Sequence, residues 1–154
     1  MATTLSNTIE IRCTPEALYR YVTQPWRWHE WHPNSKSASC PGDTLEIGDQ
    51  FDEEIELQPF SPLPLRMRRQ TTYEVLVAEP FRSWEVRGET RDGWLRIRYD
   101  FERCHAGTAF TRTLTYSTRG PSKLLMPFLK GRMAGNSLAA LRNLKNRLEL
   151  NTNP

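Results

Sequence analysis

Hydrophobic and polar positions divide the chain into a short front, a long middle of period two and a helical tail. Near the start, Ile9 and Ile11 alternate with polar residues in NTIEIRC, which predicts a half-buried strand. The following TPEALYRYVTQP predicts a helix, with Thr14 as N-cap, Pro15 in the first helical position and an apolar face through Leu18, Tyr21 and Val22. Pro25 ends that helix, and the span to Pro33 is long enough for a second short one. From about Ser35 to Ser117 six segments have strand character, near 35–40, 48–57, 65–78, 82–90, 94–104 and 108–118. Asp92-Gly93 predicts one hairpin turn and His105-Ala106-Gly107 a second. Sequential strands with short turns predict an antiparallel meander. The tail returns to helical spacing, with Pro121 near the start and Leu138, Leu141, Leu144 and Leu148 as an apolar stripe. Pro127 is expected to kink or break its first turns. Gly131 and Gly135, four apart on one face, leave room for a ligand or a closely packed strand.

One connection departs from ordinary loop chemistry. QPFSPLPL places Pro59, Pro62 and Pro64 around Phe60, Leu63 and Leu65, and three prolines prevent it from pairing as a central strand. Loops are normally polar, so a stiff apolar one suggests a flap over an apolar cavity, or a loop packed on its own domain.

Composition bounds the chemistry. A chain of 154 residues, 38% apolar and 25% charged, suits one globular domain, 1–154, with a sizeable core. No apolar run approaches the ~18 residues of a membrane-spanning helix, and MATTLSNTIEIRC lacks the basic flank and apolar stretch of a secretory signal. Cys13, Cys40 and Cys104 are odd in number and widely spaced, which suits reduced thiols and predicts a cytoplasmic protein. A net charge of +3 is too small to declare a nucleic-acid partner. Arginines interleave with acids in RSWEVRGETRDGWLRIRYDFER, as on a mixed, solvated sheet face.

The densest candidate chemistry is QPWRWHEWHPN, with Trp26, Trp28, His29, Trp31 and His32 in seven positions. His29 and His32 could share a helix face and bind a metal, but the one other histidine, His105, sits in a distant turn. The tryptophans could stack on nucleic-acid bases, but a basic groove is missing around them. Packing is the better account: Trp28 and Trp31 share a buried face, and Trp31 is expected to face the core or a cavity. No metal and no nucleic-acid partner is expected.

A conflict inside the strands is more informative. In FDEEIEL, Phe51, Ile55 and Leu57 define one face by period two, and Glu53 falls on it. In the next strand Met67, Arg69, Thr71 and Tyr73 alternate, so Arg69 also interrupts an apolar series. Adjacent antiparallel strands could pair Glu53 with Arg69 inside a cavity, unless a register shift turns either outward. Such a pair would orient a ligand carbonyl or carboxylate, and Arg69→Met should then weaken binding. The same alternation groups Trp84 with Val86, and Leu95, Ile97, Tyr99 and Phe101 opposite Arg96, Arg98 and Asp100. On the last strand Phe110, Leu114 and Tyr116 are apolar against Thr111, Thr113 and Thr115.

The order of elements resembles a known superfamily. IRCTPEALYRYVTQPWRWHEWHP at the front, the strand ending GTAFTRTLTYSTRG and the closing MPFLKGRMAGNSLAALRNLKNRLE are similar to the SRPBCC, or START-like, superfamily, in particular its polyketide cyclase/dehydrase and lipid-transport group. A chaperone-ATPase activator-like group has a similar front end, but the long helix ending in LKNRLE disfavours it. The resemblance implies an α+β helix-grip fold. An antiparallel sheet of about seven strands wraps around a long C-terminal helix, with two short helices after the first strand and an apolar cavity between sheet and helix. Members bind lipids, plant hormones or polyketides, and only some are enzymes, so function must come from the site.

Combined with the alternation, this predicts a pocket lined by Trp31, Phe51, Glu53, Ile55, Met67, Arg69, Tyr73, Trp84, Tyr99 and Leu114, closed by Phe128, Met133 and Asn136 from the helix. The expectation is a carrier of a small hydrophobic molecule (a lipid, a polyketide or an isoprenoid-like compound) with no cofactor. The alternative is a cyclase or aromatase using Arg69, Glu53, Tyr73 and Tyr99. A protein-interaction module rests only on the breadth of the superfamily. Nucleophile-elbow, P-loop and dinucleotide signatures are absent.

Overall fold

The computed structural model describes residues 2–40, 42, 44–57 and 67–152, without the side chains of residues 57, 67, 122, 125, 126, 128, 129, 151 and 152. The proline-rich QPFSPLPL connection lies outside the described residues. Strand β1 (Thr3–Ile11) leads into helix α1 (Pro15–Val22) and a 3-10 helix (Pro25–Glu30). Strands β2 (Ser35–Ser39), β3 (Gln50–Leu57), β4 (Met67–Glu79), β5 (Ser83–Thr90), β6 (Gly93–Cys104) and β7 (Gly107–Thr118) follow. A second 3-10 turn (Gly120–Leu125) enters the long helix α2 (Met126–Thr152). The strands form one curled antiparallel sheet in the order β1-β7-β6-β5-β4-β3-β2, so the first strand closes the meander against the last.

Local chemistry explains the front. Thr14 Oγ1 accepts from Ala17 N at 3.1 Å with Pro15 beginning α1, so the N-cap signal is realised. The tryptophan segment winds as a 3-10 helix, in which residues three apart eclipse. Trp28 and Trp31 accordingly both turn inward, 3% and 1% exposed. Trp28 is the hub of the core. Its Nε1 donates to Val22 O at 2.8 Å, and its ring stands edge-on to Phe51, Tyr73, Trp84 and Tyr99.

Four expectations need correction. The β5–β6 turn is Arg91–Asp92, one residue earlier than expected, because Thr90 pairs with Gly93. Gly93 is required instead by close approach, since a Cβ there would lie 1.9 Å from Ser117 O. Pro127 does not interrupt α2: it is the second residue, just after the 3-10 turn, where its missing N–H has no helical partner to lose. The buried side of α2 runs through Ser137, Ala140, Leu141 and Leu144, with Leu148 half-buried, whereas Leu138 is 43% exposed. Among the described residues nothing lies within 4 Å of a Cβ built at Gly131 or Gly135, so no close-packed strand occupies the space they leave.

Side-chain ties lay α2 against the front of the chain. Asn143 Nδ2 donates to Trp31 O at 3.1 Å, Asn136 Nδ2 to Asn34 Oδ1 at 3.2 Å, and Lys145 Nζ to Glu10 O at 2.7 Å. Arg12 and Lys145 both reach Glu149. On the outer face of β5 and β6, arginines pair with acids, as in Arg98 with Asp100 and Glu85.

Candidate functional site

Sheet and helix leave a cavity of about 160 Å³ between them. Ile55, Leu95, Ile97, Leu114 and Met133 supply apolar walls, each from a strand face or helix side that period two or 3.6 turns inward. Trp28 also lines it. Charged side chains interrupt these walls in two places.

The first is a buried cluster around Arg112 of β7, which is 6% exposed. Arg112 Nη1 donates to Ser137 Oγ of α2 at 3.1 Å, and Nη2 lies 3.3 Å from His32 Nε2. Arg112 pairs across the ladder with Tyr99. Its Nε has no hydrogen-bond partner, and among the described residues no carboxylate lies within ion-pair distance of it. Glu53 of β3 belongs to the same cluster and is 5% exposed. Its Oε2 accepts from Ser35 Oγ at 2.6 Å and its Oε1 from the Tyr73 hydroxyl at 3.2 Å.

Electrostatics follow from burial. Desolvation raises the Glu53 pKa from 4.5 to about 7, opposed by the Ser35 and Tyr73 hydrogen bonds and the Arg112 charge. Burial pushes the Tyr73 hydroxyl well up, and the neighbouring Glu53 adds to the shift. Tyr99 also rises through burial, with Arg112 opposing. His32 keeps some solvent exposure, yet the protein around it desolvates its imidazolium and Arg112 repels it. Both hold its pKa well below 6.5, so the ring is neutral.

The second is an Arg69–Asp92 ion pair, from β4 and the tip of the β5–β6 hairpin. It replaces the expected Glu53–Arg69 pair. The register sets Ile55 opposite Arg69 and Thr71 opposite Glu53, so the two charges are displaced along the strands and each finds other partners.

Of the expected pocket residues, Glu53, Ile55, Arg69, Tyr73, Tyr99, Leu114, Met133 and Asn136 line the cavity. Trp31, Phe51 and Trp84 do not. They are almost wholly buried in the aromatic core, because the sheet curls tightly enough there for their rings to meet Trp28 or Tyr99 instead of a void. The side chains of Met67 and Phe128 lie outside the described residues. His29 is exposed while His32 turns inward, so the two do not share a face. Among the described residues no three His, Cys, Asp or Glu side chains converge. Sequence reasoning missed Arg112, Asn34 and Ser137; His32, weighed there as a metal ligand against a surface or cavity-rim residue, lines the cavity. The signal for Arg112 was present: it stands between Phe110 and Leu114 on the inward face, with threonines on the outward one.

The sequence matches a known family along nearly its whole length. Residues 2–149 fit the sequence profile described as polyketide cyclase/dehydrase and lipid transport. The chain belongs to this family. Its fold recurs in the Zhui aromatase/cyclase from a Streptomyces species, at TM-score 0.74 and 12% identity, covering 97% of this chain and 94% of that one. A protein of Thermus thermophilus matches at TM-score 0.70 and 16% identity, over 99% of this chain and 100% of that one. One half of the di-domain aromatase/cyclase StfQ of steffimycin biosynthesis matches at TM-score 0.70 and 15% identity, over 97% of this chain and 51% of that one. At these identities the likeness carries the helix-grip fold alone. No curated protein matches the chain in sequence. The family supports a ligand-binding fold, and no described helix is long and apolar enough to cross a membrane.

Proposed function

We propose that the protein binds a small hydrophobic molecule, such as a lipid, polyketide or isoprenoid-like compound, in the cavity between the sheet and α2. The observation that carries this reading is the cavity itself: apolar walls from strands and a helix around a few converging polar groups, as in small-molecule sites generally. The family's polyketide and lipid members support the ligand class. Free thiols at Cys13, Cys40 and Cys104 support a cytoplasmic location. The pairing of sheet arginines with acids argues against a nucleic-acid partner.

Native mass spectrometry of protein extracted gently from its own cells tests the proposal. A mass increment that disappears on denaturation and belongs to an apolar compound is expected. Protein that stays unliganded there and binds none of a panel of apolar compounds in vitro would contradict it.

One observation favours turnover of a ligand in the same cavity. Glu53 titrates near neutrality beside two inward tyrosines, which is the range a general acid or base needs. A cyclase- or aromatase-type activity would then require Glu53, and Glu53→Gln would lose it while still binding ligand.

A further inference from the structure

Arg112 is a buried guanidinium without a counter-ion at contact distance. Its described partners are the Ser137 hydroxyl, the His32 ring and the neighbouring Tyr99, all neutral. Its Nε–H has no acceptor. Burying such a charge is costly unless it is paired and hydrogen-bonded, and the planar fork of an arginine fits a carboxylate with two parallel bonds.

The His32 contact sharpens the case. Asn34 N–H donates to His32 Nδ1 at 3.2 Å, while Arg112 Nη2 faces Nε2 at 3.3 Å. A neutral imidazole has one accepting nitrogen and one N–H, and arginine only donates. With Nδ1 accepting, Nε2–H meets another donor; with the tautomer reversed, the clash moves to Asn34. Either way one N–H lacks an acceptor beside the cavity. An oxygen lodged between Arg112 and His32 would accept from both.

We propose that this end of the cavity is a subsite for the carboxylate of an apolar acid, held by Arg112 and His32, and that Glu53 takes up a proton from solvent when the site fills. The inference rests on the cavity-binding reading above and names its ligand class. Glu53 feels the Arg112 charge, and both side chains line the same cavity. A ligand anion takes over that charge, and two buried carboxylates cannot share one guanidinium without cost, so the protein carboxylate becomes the acid. The groups facing Glu53 are Ser35 of β2, Tyr73 and Arg69 of β4, Tyr99 of β6 and Arg112 of β7, with His32 preceding β2 and uncharged Ser137 from α2. Only Arg69 and Arg112 among these carry a fixed charge, and Arg69 is engaged by Asp92.

Isothermal titration of the whole protein with octanoate and with 1-octanol, at pH 7.5 in phosphate and in Tris, tests this. Octanoate is expected to bind about ten- to a hundredfold more tightly than the alcohol, the range of a charge-assisted hydrogen bond. The two buffers should report uptake of on the order of half a proton or more with octanoate and none with octanol. Arg112→Met should abolish the preference for the acid, Arg69→Met should keep it, and Glu53→Gln should abolish proton uptake while octanoate still binds. If Arg112→Met fails to fold, the acid–alcohol comparison on the unaltered protein still decides. Equal binding of acid and alcohol overturns the subsite and leaves the apolar cavity standing. Binding of neither removes both. A preference lost with Arg69, or one without proton uptake, also overturns the proposal.

Discussion

The Tyr73 hydroxyl donates to Glu53 Oε1 at 3.2 Å, on a sheet face where both side chains are buried. With Ser35 holding the other oxygen, Glu53 is hydrogen-bonded but not ion-paired at contact distance, and desolvation dominates. Its folded pKa of about 7 stands above its ordinary 4.5. Between these values the folded state binds a proton that the unfolded state releases. Stability therefore falls as pH rises from 4.5 to 7 and the full cost applies above that, on the order of 3 kcal/mol. Glu53→Gln should be more stable than the parent protein at pH 8, with the difference vanishing near pH 4.5. Urea denaturation of both proteins across that range measures it, and a pH-independent difference would contradict the account.

Gly88 lies directly beneath Tyr73 in the ladder. A Cβ at that position would sit 2.5 Å from Thr71 Cγ2 and 2.8 Å from Tyr73 Cδ1. Gly88→Ala should therefore displace the tyrosine, at a cost of about 1–3 kcal/mol. Loosening the Tyr73 donor also raises the Glu53 pKa further, so the pH window of destabilisation should move upward. Denaturation curves of the variant at several pH values show both effects, and unchanged stability would mean that the ring is not held against the sheet.

Trp28 touches four aromatic rings and donates to Val22 O, so it ties the tryptophan segment to α1 and to the sheet. Trp28→Ala should cost about 3–5 kcal/mol, read by urea denaturation. Because Trp28 also lines the cavity, the variant should accept a bulkier ligand if it folds. A cost below about 1 kcal/mol would show that the hub is replaceable.

The architecture was legible because its signals are local and repeated. Period two ran through β3 to β7, the Thr14-Pro15 start opened α1, and the element order resembled the helix-grip fold. The cavity was legible only in part. Alternation put Glu53, Tyr73, Tyr99 and Leu114 on the right faces, but the Arg69 partner depended on register, which a sequence fixes poorly. Trp31, Phe51 and Trp84 share the inward face with true lining residues, and only the curl of the sheet separates core from void. Arg112 hid among Thr111, Thr113 and Thr115, although the period that exposed Glu53 applies to it equally. His32 and Ser137 reach Arg112 from distant parts of the chain, a contact that no local pattern encodes. The tryptophan knot proved to be core packing, with His32 its one contribution to the buried polar cluster.

Ligand entry into the cavity is observed most directly through its methyl groups. In a protein labelled at isoleucine, leucine and methionine methyls, titration with octanoate should shift Ile55, Ile97, Leu114 and Met133, which line the cavity. Leu124, Leu138 and Leu150, exposed on the surface, should stay still. Shifts confined to the surface methyls, or no shifts at saturating ligand, would contradict the claim that this cavity is the binding site.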